Sequence, residues 1–254
     1  MKRYLIVDLR MRKQEQDFLK SLGYRLIYTC ISNNVYAEIS SHVDIFCSKI
    51  GDNLILEPNF FKVFTNLNEY NEIKNKVNVI SGSTYISDCA TAYNVCALDN
   101  FLISNIKSTD TNVINIAKKN NLEIIDVKQK YAKCSVSKLN CNNFVTLDKG
   151  IKKRVDIFKK EKSSNDSNRI NALYLPQQDF NIKLINSYGK YSSMCGFLGG
   201  ATCVIDDKYI IFGDIENVEQ PSRNIIIDFV KKCGLELIDF KGLDIIDYGG
   251  VIEL

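Results

Sequence analysis

The sequence is poor in several residue types. Among its 254 residues there are three prolines, no tryptophan and a single histidine, His42. One histidine excludes a metal site built from several imidazole groups. It also means that any catalysis by an imidazole group has to use His42.

Long hydrophobic runs are also missing. The apolar run at Tyr4–Val7 is too short for the core of a secretory signal peptide. No segment approaches the roughly 18 consecutive apolar residues that a membrane span requires. A net charge of +3 is too small to indicate a nucleic-acid or anionic-membrane partner. We therefore expect a cytoplasmic protein of ordinary globular composition, without a membrane or nucleic-acid partner.

The cysteines form no recognisable metal or redox motif. Nine are present, but no two are spaced as C-x-x-C, which excludes the common zinc and thioredoxin-like motifs. They are scattered through apolar stretches, so we expect most of them to be buried free thiols in a reducing cytosol. The sequence therefore indicates no metal site and no cofactor.

Five short strand-like segments recur at similar distances. Each follows a polar turn, and their first residues, used here as markers, are Arg3, Asn53, Asn100, Asn143 and Lys208. The intervals are 50, 47, 43 and 65 residues, and 49 residues separate position 208 from position 3 through the chain ends. A polar stretch at 161–169 is typical of a flexible insertion in the long interval. We predict one domain, 1–254, of five repeats of about 50 residues.

Each repeat shows one order of elements. After the marker strand, hydrophobic periodicity predicts a helix, at Gln14–Leu22, Leu67–Val77, Asp110–Asn120, Ile151–Lys160 and Pro221–Cys233. A strand follows each helix, and a loop and a further strand lead to the next marker. The basic residues between 152 and 162 lie at polar positions of the fourth helix, which favours a solvated face over a nucleic-acid patch.

This pattern resembles the pentein superfamily, the five-bladed α/β propellers of guanidino-modifying enzymes and of initiation factor 6. Local motifs make the resemblance more specific. His42-Val43-Asp44 resembles the His-x-Asp segment of arginine and agmatine deiminases, while Tyr131–Ser135 and Gly196–Gly200 resemble a poorly characterised bacterial pentein family. The resemblance implies a five-bladed α/β propeller closed by pairing of the N- and C-terminal strands.

The resemblance also implies a type of chemistry. In the guanidino-modifying enzymes a cysteine attacks the guanidinium carbon, a histidine acts as general acid and base, and carboxylates bind the planar cation. His42 would then be the acid and base, and Asp44 would bind the substrate. The implied ligand is a small cationic guanidino or amidine molecule in a central cavity.

Two cysteines are candidates for the nucleophile. Counted back from their markers, Cys89 has the repeat position of His42 and Cys134 has that of Asp44, so both thiols could face the centre of the ring. Cys134 is preferred because it lies in one of the local motifs. The alternative for either residue is a buried thiol that only packs.

Further acids could complete a cationic pocket. Asp88 stands beside Cys89, and Asp244 and Asp247 lie near the C-terminus; the residues alone do not choose among them, although Asp88 and Asp247 are our first candidates. The glycines at 196, 199 and 200 lack the Lys-Ser/Thr pair of a P-loop and favour a close backbone approach.

One feature departs from the enzyme pattern. In the deiminases the nucleophile follows a Gly-Gly pair near the C-terminus, but Asp247–Leu254 contains no cysteine. A thiol-dependent hydrolase or amidinotransferase is therefore one hypothesis. The other is a non-catalytic pentein that binds a ligand or a macromolecule, as initiation factor 6 uses the fold.

Overall fold

The computed structural model describes residues 2–162, 170–186 and 190–254. Eight α-helices lie in these ranges: α1 (Lys13–Ser21), α2 (Val43–Phe46), α3 (Pro58–Thr65), α4 (Tyr70–Ile73), α5 (Thr111–Lys119), α6 (Ala132–Ser135), α7 (Lys149–Glu161) and α8 (Ser222–Lys232). The first nine strands are β1 (Arg3–Val7), β2 (Tyr24–Tyr28), β3 (Cys47–Ile50), β4 (Asn53–Leu56), β5 (Asn78–Ser81), β6 (Cys96–Ala97), β7 (Phe101–Ser104), β8 (Glu123–Asp126) and β9 (Val136–Lys138). The others are β10 (Asn143–Thr146), β11 (Asn171–Tyr174), β12 (Ile182–Ile185), β13 (Tyr191–Cys195), β14 (Thr202–Ile205), β15 (Lys208–Ile211), β16 (Glu236–Ile238), β17 (Ile245–Ile246) and β18 (Ile252–Glu253).

These strands form six small open sheets of three strands each in a mixed α/β fold. Five of the sheets repeat one pattern, in the orders β18-β1-β2, β3-β4-β5, β6-β7-β8, β9-β10-β11 and β14-β15-β16. The middle strand pairs antiparallel with one neighbour and parallel with the strand that follows its helix. The five middle strands are the predicted marker strands, so this part of the sequence analysis is confirmed.

The two ends of the chain meet in one sheet. The C-terminal strand β18 pairs antiparallel with β1, with Leu5 opposite Glu253 and Ile6 opposite Ile252. The predicted pairing of the N- and C-terminal strands is therefore observed. The first sheet of the chain is incomplete until the last strand has been added.

The apolar core is centred on the middle strands. Their side chains include the most completely buried of the protein, such as Tyr4, Leu54, Leu102, Phe144 and Tyr209. Both faces of these strands are covered, which explains why they read as continuous apolar runs rather than as alternating ones.

Four of the five predicted helices are confirmed within one or two residues at each end, as α1, α5, α7 and α8. The second prediction, Leu67–Val77, was wrong: the main helix is α3, which begins at Pro58, and only the short α4 lies inside the predicted range. The carboxylate of Glu57 accepts hydrogen bonds of 2.8 Å from the backbone N–H groups of Asn59 and Phe60, and it thereby caps α3. The capping residue Glu57 and the proline at position 58 together indicate that a helix begins there, which hydrophobic periodicity alone does not show.

The sixth sheet, in the order β13-β12-β17, had no counterpart in the sequence analysis. Its strand β17 has only two residues and pairs in parallel with β12, with Ile182 opposite Ile245. So short a strand carries no periodic signal, and its partner is distant in the chain. This sheet matters for the site because β17 ends immediately before Asp247.

Several smaller predictions can also be compared with the structure. Helix α7 buries Ile151, Val155 and Phe158 and leaves most of its lysines exposed, as expected for a solvated face. The insertion expected at 161–169 lies outside the described residues except for positions 161 and 162. All nine cysteines are free, as expected, but only three are buried, fewer than expected; four are partly buried, and Cys141 and Cys195 are exposed.

We expect the cap of α3 to contribute measurably to stability. Replacing Glu57 by Ala removes both capping hydrogen bonds and should lower the free energy of unfolding by about 1 to 2 kcal/mol in chemical denaturation. Glu69→Ala is the matched control, because Glu69 precedes α4 without forming a capping hydrogen bond. Equal losses in the two variants would contradict the assigned role of Glu57.

Candidate active site

Four polar side chains are buried together where several sheets meet. His42 precedes α2, Asp44 lies in α2, Cys134 lies in α6 and Asp247 follows β17. Each of the four is at most 2% exposed. A ring nitrogen of His42, the sulfur of Cys134 and a carboxylate oxygen of Asp247 all lie within 4.8 Å of one another. We call these four residues the central cluster.

A hydrogen bond between Cys134 and Asp44 joins two sides of this cluster. The thiol of Cys134 donates to Oδ2 of Asp44, while Oδ1 of Asp44 has no hydrogen-bond partner among the described residues. Burial raises the pKa of the Cys134 thiol well above its usual range, and the charges of Asp44 and Asp247 raise it further. The resting side chain is therefore a neutral thiol, not the thiolate that a nucleophile requires.

Burial also changes the acidity of Asp44. It raises the pKa of this carboxyl to about 6; the nearby charge of Asp247 adds to the effect, while His42, Cys134 and Lys133 oppose it. At neutral pH Asp44 is therefore mostly ionised, buried beside the carboxyl group of Asp247. Such a pair attracts a cation strongly.

Asp247 is held by the backbone around it. Its Oδ2 accepts a hydrogen bond of 2.8 Å from the N–H of Phe197, and its Oδ1 accepts one of 2.9 Å from the N–H of Gly249. Oδ1 also lies 3.7 Å from Nδ1 of His42. The other ring nitrogen of His42, Nε2, is buried without a hydrogen-bond partner among the described residues.

Glycines permit this close packing. A Cβ atom on Gly200 would lie 1.8 Å from Oδ1 of Asp247, and one on Gly196 would lie 2.6 Å from the Cβ of Asp247. A Cβ on Gly249 would lie 2.7 Å from the Cβ of His42, and Gly249 also has a φ of +70°. The glycines therefore permit a close approach of the backbone, as was predicted from the sequence for Gly196 and Gly200.

Asn94 belongs to the site and was not foreseen. Its Oδ1 accepts hydrogen bonds from the backbone N–H groups of Lys133 and Cys134, at 2.7 and 3.3 Å, and its Nδ2 donates to the Cys134 sulfur at 3.5 Å. Asn94 precedes β6 by two residues, and Cys134 precedes β9 by two. The pairing registers place them at different positions in their sheets, so no repeat position singles out Asn94.

The repeat positions inferred by counting from the markers need correction. Strands β3, β6 and β9 each lead into a hairpin. The β9–β10 hairpin contains one residue more than the β3–β4 and β6–β7 hairpins when each is counted between paired residues. Counting therefore placed Cys134 level with Asp44, whereas the pairing register places Lys133 there. Cys134 nevertheless reaches the cluster, because α6 turns it toward Asp44.

The other predicted site residues lie elsewhere. The sulfur of Cys89 contacts Thr91 Oγ1 and the carbonyl oxygen of Ser108, both at 3.4 Å, and Cys89 packs against a separate apolar group. Asp88 is exposed, with Ser87 as its hydrogen-bond neighbour. Asp244 forms an ion pair of 2.8 Å with Lys183. Among the acids offered by the sequence beyond Asp44, Asp247 is the one that joins the central cluster.

Lys133 places a positive charge beside the cluster. Its ammonium donates to the carbonyl oxygen of Gly199 at 3.2 Å. Adjacent residues of an extended strand would point to opposite faces, but Lys133 and Cys134 lie in the single turn of α6 and can serve the same region. Lys133 and Asp44 also line a cavity of about 440 Å³, whose wall includes Lys49 and Lys138.

An aromatic pair lies next to the central cluster. The rings of Tyr131 and Phe197 stack with their centroids 6.1 Å apart and their planes 18° apart. Tyr131 immediately precedes α6, and the N–H of Phe197 donates to Asp247. This stack therefore brings together Tyr131–Ser135 and Gly196–Gly200, the two segments that resemble the bacterial pentein family.

Three solved structures with a similar fold are distant from this chain in sequence. A cysteine-to-serine variant of DDAH from Pseudomonas aeruginosa, in complex with citrulline, has a TM-score of 0.55 at 10% identity, with 100% of each chain covered. A dimethylarginine dimethylaminohydrolase in an adduct with S-methyl-L-thiocitrulline has a TM-score of 0.53 at 12% identity, again with 100% of each chain covered. Inosamine-phosphate amidinotransferase from Streptomyces griseus has a TM-score of 0.54 at 10% identity, over 93% of this chain and 75% of that one. The chain has the fold of the pentein superfamily.

The family assignment rests on a sequence profile. A profile described as a family of unknown function, DUF6873, matches residues 6–252, and the chain belongs to this family. No curated protein sequence matches the chain. Within the described ranges, no helix combines the length and apolarity needed to cross a membrane.

The raised pKa of Asp44 predicts a pH-dependent stability. An unfolded aspartate has a pKa near 3.9, so the folded protein binds this proton more tightly, and the resulting stabilisation is full below about pH 4 and lost as the pH rises through about 6. Replacing Asp44 by Asn removes this titration. The difference in unfolding free energy between Asp44→Asn and the unmodified protein should therefore shift by about 2.4 kcal/mol in favour of the variant between pH 4 and pH 8.

This shift can be measured by urea denaturation in buffers that contain EDTA, so that no stray cation neutralises the cluster. Asp88→Asn is the control, because Asp88 is exposed. A difference between Asp44→Asn and the unmodified protein that stays constant from pH 4 to pH 8 would show that Asp44 titrates normally.

Proposed function

We propose that the protein is a thiol-dependent hydrolase or amidinotransferase that acts on a small guanidino or amidine compound. In this proposal Cys134 is the nucleophile, His42 is the general acid and base, and Asp44 and Asp247 bind the cation. The observation that carries the proposal is the central cluster itself: a thiol, an imidazole and two carboxylates buried in contact in a pentein fold. Distant proteins of this fold are described with citrulline and with S-methyl-L-thiocitrulline.

We also infer that the five repeated sheets are blades arranged around this cluster. The segments that precede their first strands supply its parts: His42 and Asp44 before β3, Asn94 before β6, and Cys134 before β9. The glycines at 199 and 200 precede β14, and Asp247 and Gly249 precede β18. Convergence of five such segments on one point is what a five-bladed propeller would produce.

The charges suggest how the nucleophile would be activated. Burial and the charges of Asp44 and Asp247 keep the thiol of Cys134 neutral in the resting protein. A guanidinium bound between the two acids would offset part of their negative field at the sulfur, and the pKa of Cys134 would fall. The thiol would then become reactive only when a substrate is present.

The proposed reaction has two halves. The Cys134 sulfur attacks the central carbon of the substrate, its proton passes to His42, and His42 returns the proton to the departing amine as the carbon–nitrogen bond breaks. In a hydrolase, water then attacks the carbon of the sulfur-linked intermediate while His42 accepts a water proton. The carbon–sulfur bond breaks, the sulfur regains its proton from His42, and a ureido product leaves. In an amidinotransferase an acceptor amine takes the place of water.

A cationic alkylating agent tests the nucleophile directly. A haloacetamidine resembles the planar cation, so it should alkylate Cys134 at least about tenfold faster than Cys47 under native conditions near neutral pH. Cys47 is the matched control, since it is equally buried and its pKa is also raised well above the usual range. Peptide mapping by mass spectrometry gives both rates. Equal, slow labelling of the two thiols would contradict a nucleophilic Cys134.

Turnover of a panel of guanidino compounds, followed through ureido product and released amine, tests the activity. Cys134→Ser should lose at least about a thousandfold in kcat/KM, whereas Cys89→Ser should retain activity within about twofold. If Cys89→Ser lost activity and Cys134→Ser retained it, the nucleophile would be Cys89.

A non-catalytic pentein is the second candidate function, and one observation favours it. The Cys134 sulfur is buried and does not line the 440 Å³ cavity, whereas Asp44 does. A cation could then bind at Asp44 without meeting the thiol. Thermal stabilisation by guanidino compounds, with no turnover and no alkylation of Cys134, would identify a binding protein.

A further inference from the structure

The central cluster contains the side-chain types that bind zinc. Zinc sites use cysteine, histidine and aspartate, with bonds of about 2.0 to 2.3 Å, which places the ligand atoms of a tetrahedron roughly 3.3 to 3.8 Å apart. The ligand atoms of His42, Cys134 and Asp247 already lie within 4.8 Å of one another.

Two buried atoms in the cluster lack hydrogen-bond partners within the described part of the chain. They are Nε2 of His42, a residue that is 1% exposed, and Oδ1 of Asp44, a residue that is 2% exposed. Buried polar atoms are normally satisfied, because an unpaired one costs free energy. A cation within the cluster would supply the missing interaction for an imidazole nitrogen and a carboxylate oxygen.

The charges favour a cation as well. Asp44 and Asp247 bring two carboxyl groups to the cluster, the ammonium of Lys133 is already bound to the carbonyl oxygen of Gly199, and Lys49 and Lys138 lie in the wall of the cavity. A thiol and an imidazole select zinc over calcium or magnesium, which prefer oxygen ligands. The 440 Å³ cavity reaches Asp44 and provides a route by which an ion could enter.

We propose that His42, Cys134 and Asp247 form a binding site for one zinc ion, with Asp44 beside it and a solvent oxygen as the fourth ligand. On binding, the sulfur–hydrogen bond of Cys134 breaks, a sulfur–zinc bond forms, and the proton passes to solvent. The sequence analysis expected no metal site, because the ligands lie in segments far apart in the chain and in no spaced motif. The site uses residues of the proposed active site but does not depend on that activity, and bound zinc would block the thiol.

Cobalt provides a direct spectroscopic test. The full-length protein, reduced and freed of metal with EDTA and then desalted, is titrated with Co²⁺. We expect a sulfur-to-cobalt charge-transfer band and the strong visible bands of tetrahedral cobalt, saturating at one equivalent and abolished by one equivalent of Zn²⁺. Cys134→Ser should lose the charge-transfer band, and Cys47→Ser should keep it. A folded protein without these bands, or a band that persists in Cys134→Ser, would overturn the proposal.

X-ray absorption of the zinc-loaded, unmodified protein avoids the risk that a variant fails to fold. One sulfur and three nitrogen or oxygen ligands are expected, and any other number of sulfurs would overturn the assignment. These measurements need no substrate, so they separate the two proposals. An active thiol enzyme without cobalt bands would refute only the zinc site, and a zinc-binding protein whose metal-free form never turns over would refute only the enzymatic function.

Discussion

The hydrogen bond from the Cys134 thiol to the Asp44 carboxylate joins two short helices that are 90 residues apart in the chain. It exists only because the backbones around it approach closely. Gly200 and Gly249 leave no room for a Cβ atom beside Asp247 and His42, so the packing of the centre requires glycine at these places. Segments that precede β3, β6, β9, β14 and β18 supply groups around this contact.

The same packing sets the electrostatics. Removing two carboxylates, a thiol and an imidazole from water raises the pKa of Asp44 and Cys134 and leaves an excess of negative charge. A bound cation would offset this charge without unfolding the protein. A guanidinium and a zinc ion would both offset this negative charge, and they would compete for the sulfur of Cys134.

Sequence reasoning succeeded where the signal was local. The middle strands are continuous apolar runs, and α8 begins beside Pro221 and ends just before Gly234, so both were predictable. It failed where the signal lay outside hydrophobic periodicity, as at the cap of α3 by Glu57, or where the partners were distant, as in the pairing of β12 with β17. The position of Asn94 was missed because an asparagine in a loop has no preferred role until its neighbours are known.

The sequence by itself determined the repeated order of strand, helix and strand, the pairing of the chain ends, and His42, Asp44 and Cys134 as candidate site residues. Only the tertiary structure decided that Cys134 and not Cys89 lies beside His42, that Asp247 and not Asp88 completes the cluster, and that Cys134 rests as a neutral thiol. The physical reason is that composition and spacing record which groups a chain carries. Contact, burial and charge arise only when distant segments are packed against one another.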